Sequence, residues 1–269
     1  MQGRGWTFPD SDIRFLIEAV LPERSDKNHL VELVRDDETF IESMLGHRLA
    51  FERVMAEETV MLYITPQLFF HVLLRQARKD LQQETYTVEL RARQKIPIFD
   101  SHQVVELLGD AGMRSYLADM LASFTRVHSF TWPVRVRRGI WHKHRFSDLD
   151  VDSLIKLCQS VEEEQRFAVY KRIADVCLLI AGMFPEYAQP GAMVARTRRG
   201  ERDLEDYEQE GRQFYQLAAH HEGAAILDLR DVLHELAERF TLAEKPLKFL
   251  SEHYLLTRKH TLFAAPGVV

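Results

Sequence analysis

Apolar residues recur every three or four positions along most of this chain, which is the spacing of helices that bury one face. One clear stripe follows Asp110, and another runs along the helix that we predict from Asp36. Residues 167–184 are apolar on most sides and predict a central, buried helix that ends before Pro185. The first stripe consists of Met113, Tyr116, Leu117, Met120, Leu121 and Phe124, and the second of Phe40, Met44, His47, Phe51 and Val54.

Capping residues predict where several helices begin. Asp10 and Asp12 carry short acceptor side chains of the kind that cap a first helix. Thr65 followed by Pro66 supplies a cap and a first-turn proline for a later helix. After residue 201, three amphipathic helices with short connections follow, and such helices are antiparallel neighbours by default.

Two segments interrupt the helical pattern. Residues 85–99 alternate between apolar and polar, which leaves a helix and an extended segment as alternatives. Trp132 precedes Pro133 and is therefore restricted to extended geometry. Residues 134–137 then alternate like a strand before Gly139. Near residues 130–145, a small β-hairpin and an irregular loop both fit the pattern.

The pattern as a whole predicts an all-α fold, a multi-helix orthogonal or antiparallel bundle of about ten to twelve helices. We expect one domain over residues 1–269, or two lobes, 1–125 and 148–269, joined by a basic aromatic connector at 126–147. The low content of glycine and proline, 12 and 9 residues, disfavours a turn-rich β-sandwich or barrel. Cys158 and Cys177 lie in apolar helical pattern and predict reduced, buried thiols. We expect a soluble cytoplasmic protein without a membrane partner.

Charge is distributed unevenly. The chain has a net charge of −6, yet residues 120–147 contain neither Asp nor Glu. The leading interpretation of this segment is a solvated loop whose arginines pair with neighbouring acidic helices. The alternatives are an anion or nucleotide site, because arginine matches phosphate oxygens, and a nucleic-acid contact over residues 135–145, which the acidic net charge disfavours. The candidate anion-binding residues are Arg126, Arg135, Arg137, Arg138, Lys143, Arg145, Trp132 and Trp141.

Two groups of histidines are candidate metal ligands. His142 and His144 stand two apart and would share one face of a strand. His220 and His221 end a helix before Gly223, a predicted C-cap, with His234 on the next helix. Neither group contains a complete ligand set, so we predict no metal and no cofactor.

Three further polar residues lie in apolar surroundings. Asp175 stands in the helix predicted to be most buried, so its charge needs a partner, and Lys171 and Arg172 are the local candidates. His47 and His71 lie on apolar stripes and are interpreted as buried polar groups of the core.

No catalytic motif of high specificity occurs in the chain. The leading hypothesis is therefore a non-enzymatic interaction or regulatory protein, with another protein or a second copy of the chain as partner. One alternative is a helical enzyme or small-molecule binder that holds an anionic ligand near Asp175 and the basic segment. The other is a nucleic-acid contact through Arg135 to Arg145.

Overall fold

Helices make up most of the chain in the computed structural model, which describes residues 8–57, 59–91, 94–126, 129–137, 140–147, 149–188 and 202–263. The side chains of residues 89–95 and 127–148 lie outside this description. Fourteen α-helices and two small β-hairpins account for the regular structure of the described residues. The predicted all-α multi-helix fold is confirmed.

The chain divides into two compact units, Met1–Ala122 and Ser123–Val269. The first unit begins with four helices, then a 3₁₀ turn at Val60–Leu62, a long helix, a hairpin and two more helices. Their bounds are α1 Asp10–Val20, α2 Lys27–Val34, α3 Glu38–Leu45, α4 Arg48–Ala56, α5 Pro66–Leu81, β1 Thr87–Arg91, β2 Gln94–Ile98, α6 Ser101–Leu107 and α7 Ala111–Ser123.

Helix α5 forms the centre of the first unit and packs against α3, α4 and α6. It begins as predicted, with Thr65 as its cap: the Thr65 hydroxyl accepts from the Leu68 amide at 3.2 Å, and Pro66 opens the first turn. Phe69 and Phe70 are fully buried and meet edge to face, with ring centroids 5.2 Å apart. Burying each ring stabilises the fold by about 2–3 kcal/mol.

The beginning of α1 differs from the prediction. Pro9 stands at the cap position, and no side chain caps the helix. Asp12 instead points into the core, where its carboxylate accepts hydrogen bonds from the amide of Thr65, at 2.9 Å, and from the Thr65 hydroxyl. This carboxylate therefore ties α1 to the start of α5.

The prediction of one continuous helix from Asp36 is wrong, because the segment forms two helices, α3 and α4. Gly46 ends α3, and His47 adopts extended backbone geometry (φ −78°, ψ 138°). The His47 ring caps α4, because its Nδ1 accepts from the Leu49 amide at 3.2 Å. Two short helices thus share one continuous apolar stripe, and periodicity alone does not reveal the break.

The described part of the second unit contains a hairpin followed by seven helices. Their bounds are β3 Ser129–Arg137, β4 Ile140–Ser147, α8 Val151–Cys158, α9 Glu163–Met183, α10 Leu204–His220, α11 Glu222–Ile226, α12 Arg230–Glu238, α13 Phe240–Phe249 and α14 Lys259–Leu262. A 3₁₀ turn follows α9 at Pro185–Ala188, and a π-helical segment, Leu250–Tyr254, continues α13.

Helix α9 is the predicted central helix, buried over most of its C-terminal part. It packs against α8, α10 and α13, while α12 packs on α10. Two glycines permit this close approach: a Cβ on Gly211 would lie 2.3 Å from the Phe240 ring, and one on Gly182 would lie 2.6 Å from Leu247 Cβ. In this unit α12 contacts α10, and α13 contacts α9, α10 and α12.

Both interruptions of the helical pattern are antiparallel hairpins. In the first, Thr87 pairs with Ile98 and Val88 with Pro97, so residues 85–99 follow the extended alternative. In the second, Trp132 pairs with His144, and the register shifts between Arg135 and Arg137. A hairpin, not an irregular loop, therefore forms near residues 130–145.

No helix among the described residues combines the length and apolar composition that crossing a membrane requires.

Candidate functional site

The hairpin β1–β2 is anchored to the first unit through one of its two faces. Its base is tied to α6, because the buried Thr87 hydroxyl donates to the Asp100 carboxylate at 2.6 Å. The Ser101 hydroxyl, also at the start of α6, donates to the Glu84 carbonyl at 2.7 Å. These bonds hold the face of the hairpin that contains Thr87 against the unit.

The opposite face of the hairpin is apolar and exposed. Side chains alternate between the two faces of a strand, and directly paired residues share a face. Val88 and its partner Pro97 therefore lie on the outward face, with Tyr86 and Phe99 just beyond the strand ends. Phe99 is 73% exposed, Tyr86 44% and Val88 42%. We call Tyr86, Val88, Pro97 and Phe99 the outer hairpin face.

The outer hairpin face is held in one arrangement by its own contacts. The centroids of the Tyr86 and Phe99 rings lie 6.1 Å apart, and the ring planes are inclined at 63°. Aromatic pairs prefer such an edge-to-face geometry. The rings close the base of the hairpin and leave their outward sides in water. Large apolar groups in water are unfavourable, and contiguous patches of them commonly mark binding surfaces.

A second group of interest is a charge cluster in the interior of the same unit. Glu42 on α3 accepts from Arg75 on α5, at 3.1 Å for the Nε contact, and from Arg114 on α7, at 3.0 Å. Arg114 also donates to the carbonyls of Leu108, at 2.6 Å, and Gly109, at 2.9 Å, where α6 ends. Both arginines are buried, whereas the Glu42 side chain is 43% exposed.

The pKa values of this cluster follow from those contacts. Burial opposes ionisation of Glu42, but the hydrogen bonds and charges of the two arginines outweigh it, so the pKa of Glu42 lies below its usual value. The pKa of His71 lies well below its usual value because of burial and the nearby charges of Arg75 and Arg114. Arg75 donates to His71 Nδ1 at 3.1 Å. A neutral His71 in this position anchors Arg75.

Asp175 lies in the interior of the second unit and is 1% exposed. Its two oxygens accept from the Tyr215 hydroxyl at 2.9 Å and from Lys171 Nζ at 2.7 Å. Of its two local partner candidates, Lys171 supplies this ion pair. Arg172 donates to the Ser123 hydroxyl at 2.8 Å and lies over the Phe124 ring. Asp175 joins α9 to α10 and needs no ligand for this role.

The structure places the other predicted residues as follows. His47 was expected to be a buried core group, and this is wrong, because its ring is exposed where it caps α4. His71 is buried and belongs to the first unit, whereas Asp175 belongs to the second.

The basic segment is described only in part. Arg126 is exposed, and β3 and β4 contain the backbone of most of the other predicted anion-binding residues. Arg138 lies outside the described residues, as do the side chains of Trp132, Arg135, Arg137, Trp141, His142, Lys143, His144 and Arg145. The anion-binding and nucleic-acid hypotheses therefore stay predictions.

The C-terminal histidines form backbone and surface contacts. Gly223 was predicted to end α10, but it belongs to α11, and His221 caps that helix by accepting from the Gly223 amide at 3.0 Å. His221 Nε2 lies 2.9 Å from the Glu163 carbonyl. His220 contacts the Gln216 carbonyl, and His234 lies 3.2 Å from Glu238.

Within the described part of the chain, no group of three or more histidine, cysteine, aspartate or glutamate side chains is arranged to hold a metal ion. No protein-family model matches this chain, and no curated protein and no solved structure matches it.

Proposed function

We propose that this protein binds another protein through the outer hairpin face, by docking a short apolar segment of its partner. The observation that carries the proposal is the exposure of Phe99, Tyr86 and Val88 on one face of a hairpin whose other face is anchored to the unit. The four described residues of this face are uncharged, so this part of the hairpin favours apolar side chains over ionic ones.

The size of the face favours a short segment over a second copy of the chain. Together its side chains expose about 300 Å². A stable dimer buries about 800 Å² on each partner. These four side chains alone are therefore too few to hold two folded copies together, but they are enough to bind a few side chains of an extended peptide. We expect dissociation constants of about 1–100 μM.

The spacing of the residues on the outer hairpin face indicates which kind of peptide segment can bind it. Tyr86 and Val88 stand two residues apart along the chain, about 7 Å, and each is matched by Phe99 or Pro97 on the other side. An extended peptide with apolar residues at alternate positions places its side chains at the same interval. Such a segment covers the face while its polar residues stay in water.

Selection from a library of random twelve-residue peptides displayed on phage tests the proposal, with the full chain as bait. We expect enrichment of sequences with apolar residues at alternate positions. Peptides that also bind the variants Phe99→Asp or Val88→Lys, which place a charge on the outer hairpin face, are removed by counter-selection. Failure to enrich any peptide overturns the proposal.

The matched control is Leu256→Asp, because Leu256 is also a large exposed apolar residue, 65% exposed, but lies in the second unit. We expect the enriched peptides to bind Leu256→Asp with the same affinity as the wild type. Their affinity for Phe99→Asp should be at least tenfold lower. Equal binding to all variants overturns the proposal. Circular dichroism spectra of each variant show that the helices are intact.

A further inference from the structure

Helix α13 carries charged residues into the core of the second unit. Glu244 is 1% exposed, and Lys245 and Pro246 beside it are also buried. Buried glutamate and lysine are rare in proteins unless they are paired. Glu244 stands where α13 packs on α9, near Gly182, at which an added Cβ would lie 3.3 Å from the Glu244 backbone carbonyl oxygen.

Glu244 is only half satisfied by its neighbours. Its Oε2 accepts from Lys248 Nζ at 3.0 Å, one turn further along α13. Its Oε1 is buried and has no hydrogen-bond partner among the described residues. From α10, Glu208 and Arg212 act on it with opposite charges, and α9 presents Gly182 at this contact.

This arrangement favours the protonated carboxyl group. Burial removes water from the carboxylate, and the charge of Glu208 adds to the penalty, while Lys248 and Arg212 oppose it. The pKa of Glu244 is raised to about 7. The group therefore changes charge within the physiological pH range.

The backbone of α13 is weakened at the same place. Pro246 has no N–H to donate to the Leu242 carbonyl, so the helix lacks one of its internal hydrogen bonds. The helix then changes to π-helical geometry at Leu250–Tyr254. Such segments are rare and often stand at functional positions of helices. A charge in the core thus acts on a helix that is less strongly held than an uninterrupted one.

We infer that α13 and the π-helical segment that follows it form a proton-controlled element, which packs most stably against α9 and α10 while Glu244 is protonated and opens more often when Glu244 is ionised. Opening exposes the carboxylate to water and relieves its burial next to Glu208. The inference is independent of the proposed binding function of the hairpin.

The direction of the pH effect follows from proton binding. Because the pKa of Glu244 is higher in the packed state than in the open state, the packed state binds more protons between pH 4.5 and 7. Opening therefore becomes more frequent as the pH rises through this window. Between pH 6 and pH 8 the opening equilibrium constant increases about tenfold.

Hydrogen exchange of backbone amides, read by mass spectrometry on peptides from residues 240–254 of the full chain, measures this equilibrium. Rates are corrected for the intrinsic pH dependence of exchange. The wild type shows the tenfold increase in opening from pH 6 to pH 8, and Glu244→Gln, which cannot ionise, does not. Glu252→Gln is the control, because Glu252 is exposed on the same segment and keeps the wild-type response.

An unchanged opening constant in the wild type, or the same increase in Glu244→Gln, overturns the inference. If the Glu244→Gln variant fails to fold, the titration of the Glu244 side chain is followed by carbon NMR in the wild type instead. A midpoint near pH 7 supports the inference, and a midpoint near pH 4.5 overturns it.

Discussion

The charge cluster around Glu42 gives a prediction with a magnitude. The substitution Glu42→Gln keeps the size of the side chain but removes the negative charge of the carboxylate that accepts hydrogen bonds from both Arg75 and Arg114. Breaking a buried ion pair by removing one partner costs about 3–5 kcal/mol. Glu42 is 43% exposed, so water screens part of this effect, and we expect a loss of about 2–3 kcal/mol in the free energy of unfolding.

Urea unfolding at pH 7, followed by far-ultraviolet circular dichroism, measures this loss as a lower midpoint. The control is Glu52→Gln, because Glu52 pairs with Arg48 on the surface of the same unit and both side chains are exposed. An exposed pair of this kind contributes less than about 0.5 kcal/mol. The reasoning is refuted if the two substitutions cost the same.

The pH dependence of stability tests the same charge cluster a second time. The pKa of Glu42 is lowered in the folded state, so its contribution is present above its usual value and disappears as the pH falls through the folded value. The difference in stability between wild type and Glu42→Gln should therefore shrink below about pH 4.5. A difference that stays constant down to pH 3 would mean that the charge of Glu42 is not its source.

Three further predictions concern the second unit. Gly211→Ala should lower stability by about 1–3 kcal/mol in thermal or urea unfolding, since the added Cβ would overlap the Phe240 ring; Gly46→Ala, with no atom closer than 3.6 Å, should change it little. Tyr215→Phe removes the hydrogen bond to a buried carboxylate, and urea unfolding should show a loss of about 2 kcal/mol; no loss would mean that this bond is replaced. Burial raises the pKa of the Cys177 thiol, so a thiol reagent should modify it only after unfolding, and rapid modification in the folded chain would contradict its burial.

Periodicity predicted the helices well because most of them bury one face. The stripe after Asp110 lies on α7, and residues 167–184 lie almost entirely on α9, as expected. The cap at Thr65 is also where the sequence indicates. The break at His47 is not predictable in the same way, because α3 and α4 continue one apolar stripe and only the backbone turns.

The two faces of the first hairpin explain why its exposed surface was missed. Along β1 and the residue before it, Tyr86 and Val88 alternate with the polar residues Thr87 and Glu89, so the pattern assigns the face of Tyr86 and Val88 to the core. The structure has the opposite orientation, with Thr87 buried and Tyr86 and Val88 exposed. Only the contacts of Thr87 with Asp100 show which face is anchored.

Buried charge was missed for a related reason. The seam through Leu247, Leu250 and Tyr254 correctly indicates a packed helix near the C-terminus, but a pattern of apolar residues treats every glutamate and lysine as exposed. The burial of Glu244 depends on α13 being enclosed by α9 and α10, which is a tertiary property. Asp175 could be anticipated because apolar residues surround it on both sides along the chain.

Chemical-shift mapping tests most directly whether the outer hairpin face is a binding surface. A peptide enriched in the selection is titrated into the nitrogen-15-labelled full chain, and amide shifts are followed for every assigned residue. We predict the largest changes at Tyr86, Val88 and Phe99, with the second unit unchanged. Shifts centred elsewhere, with residues 86–99 unaffected, would contradict the proposed function.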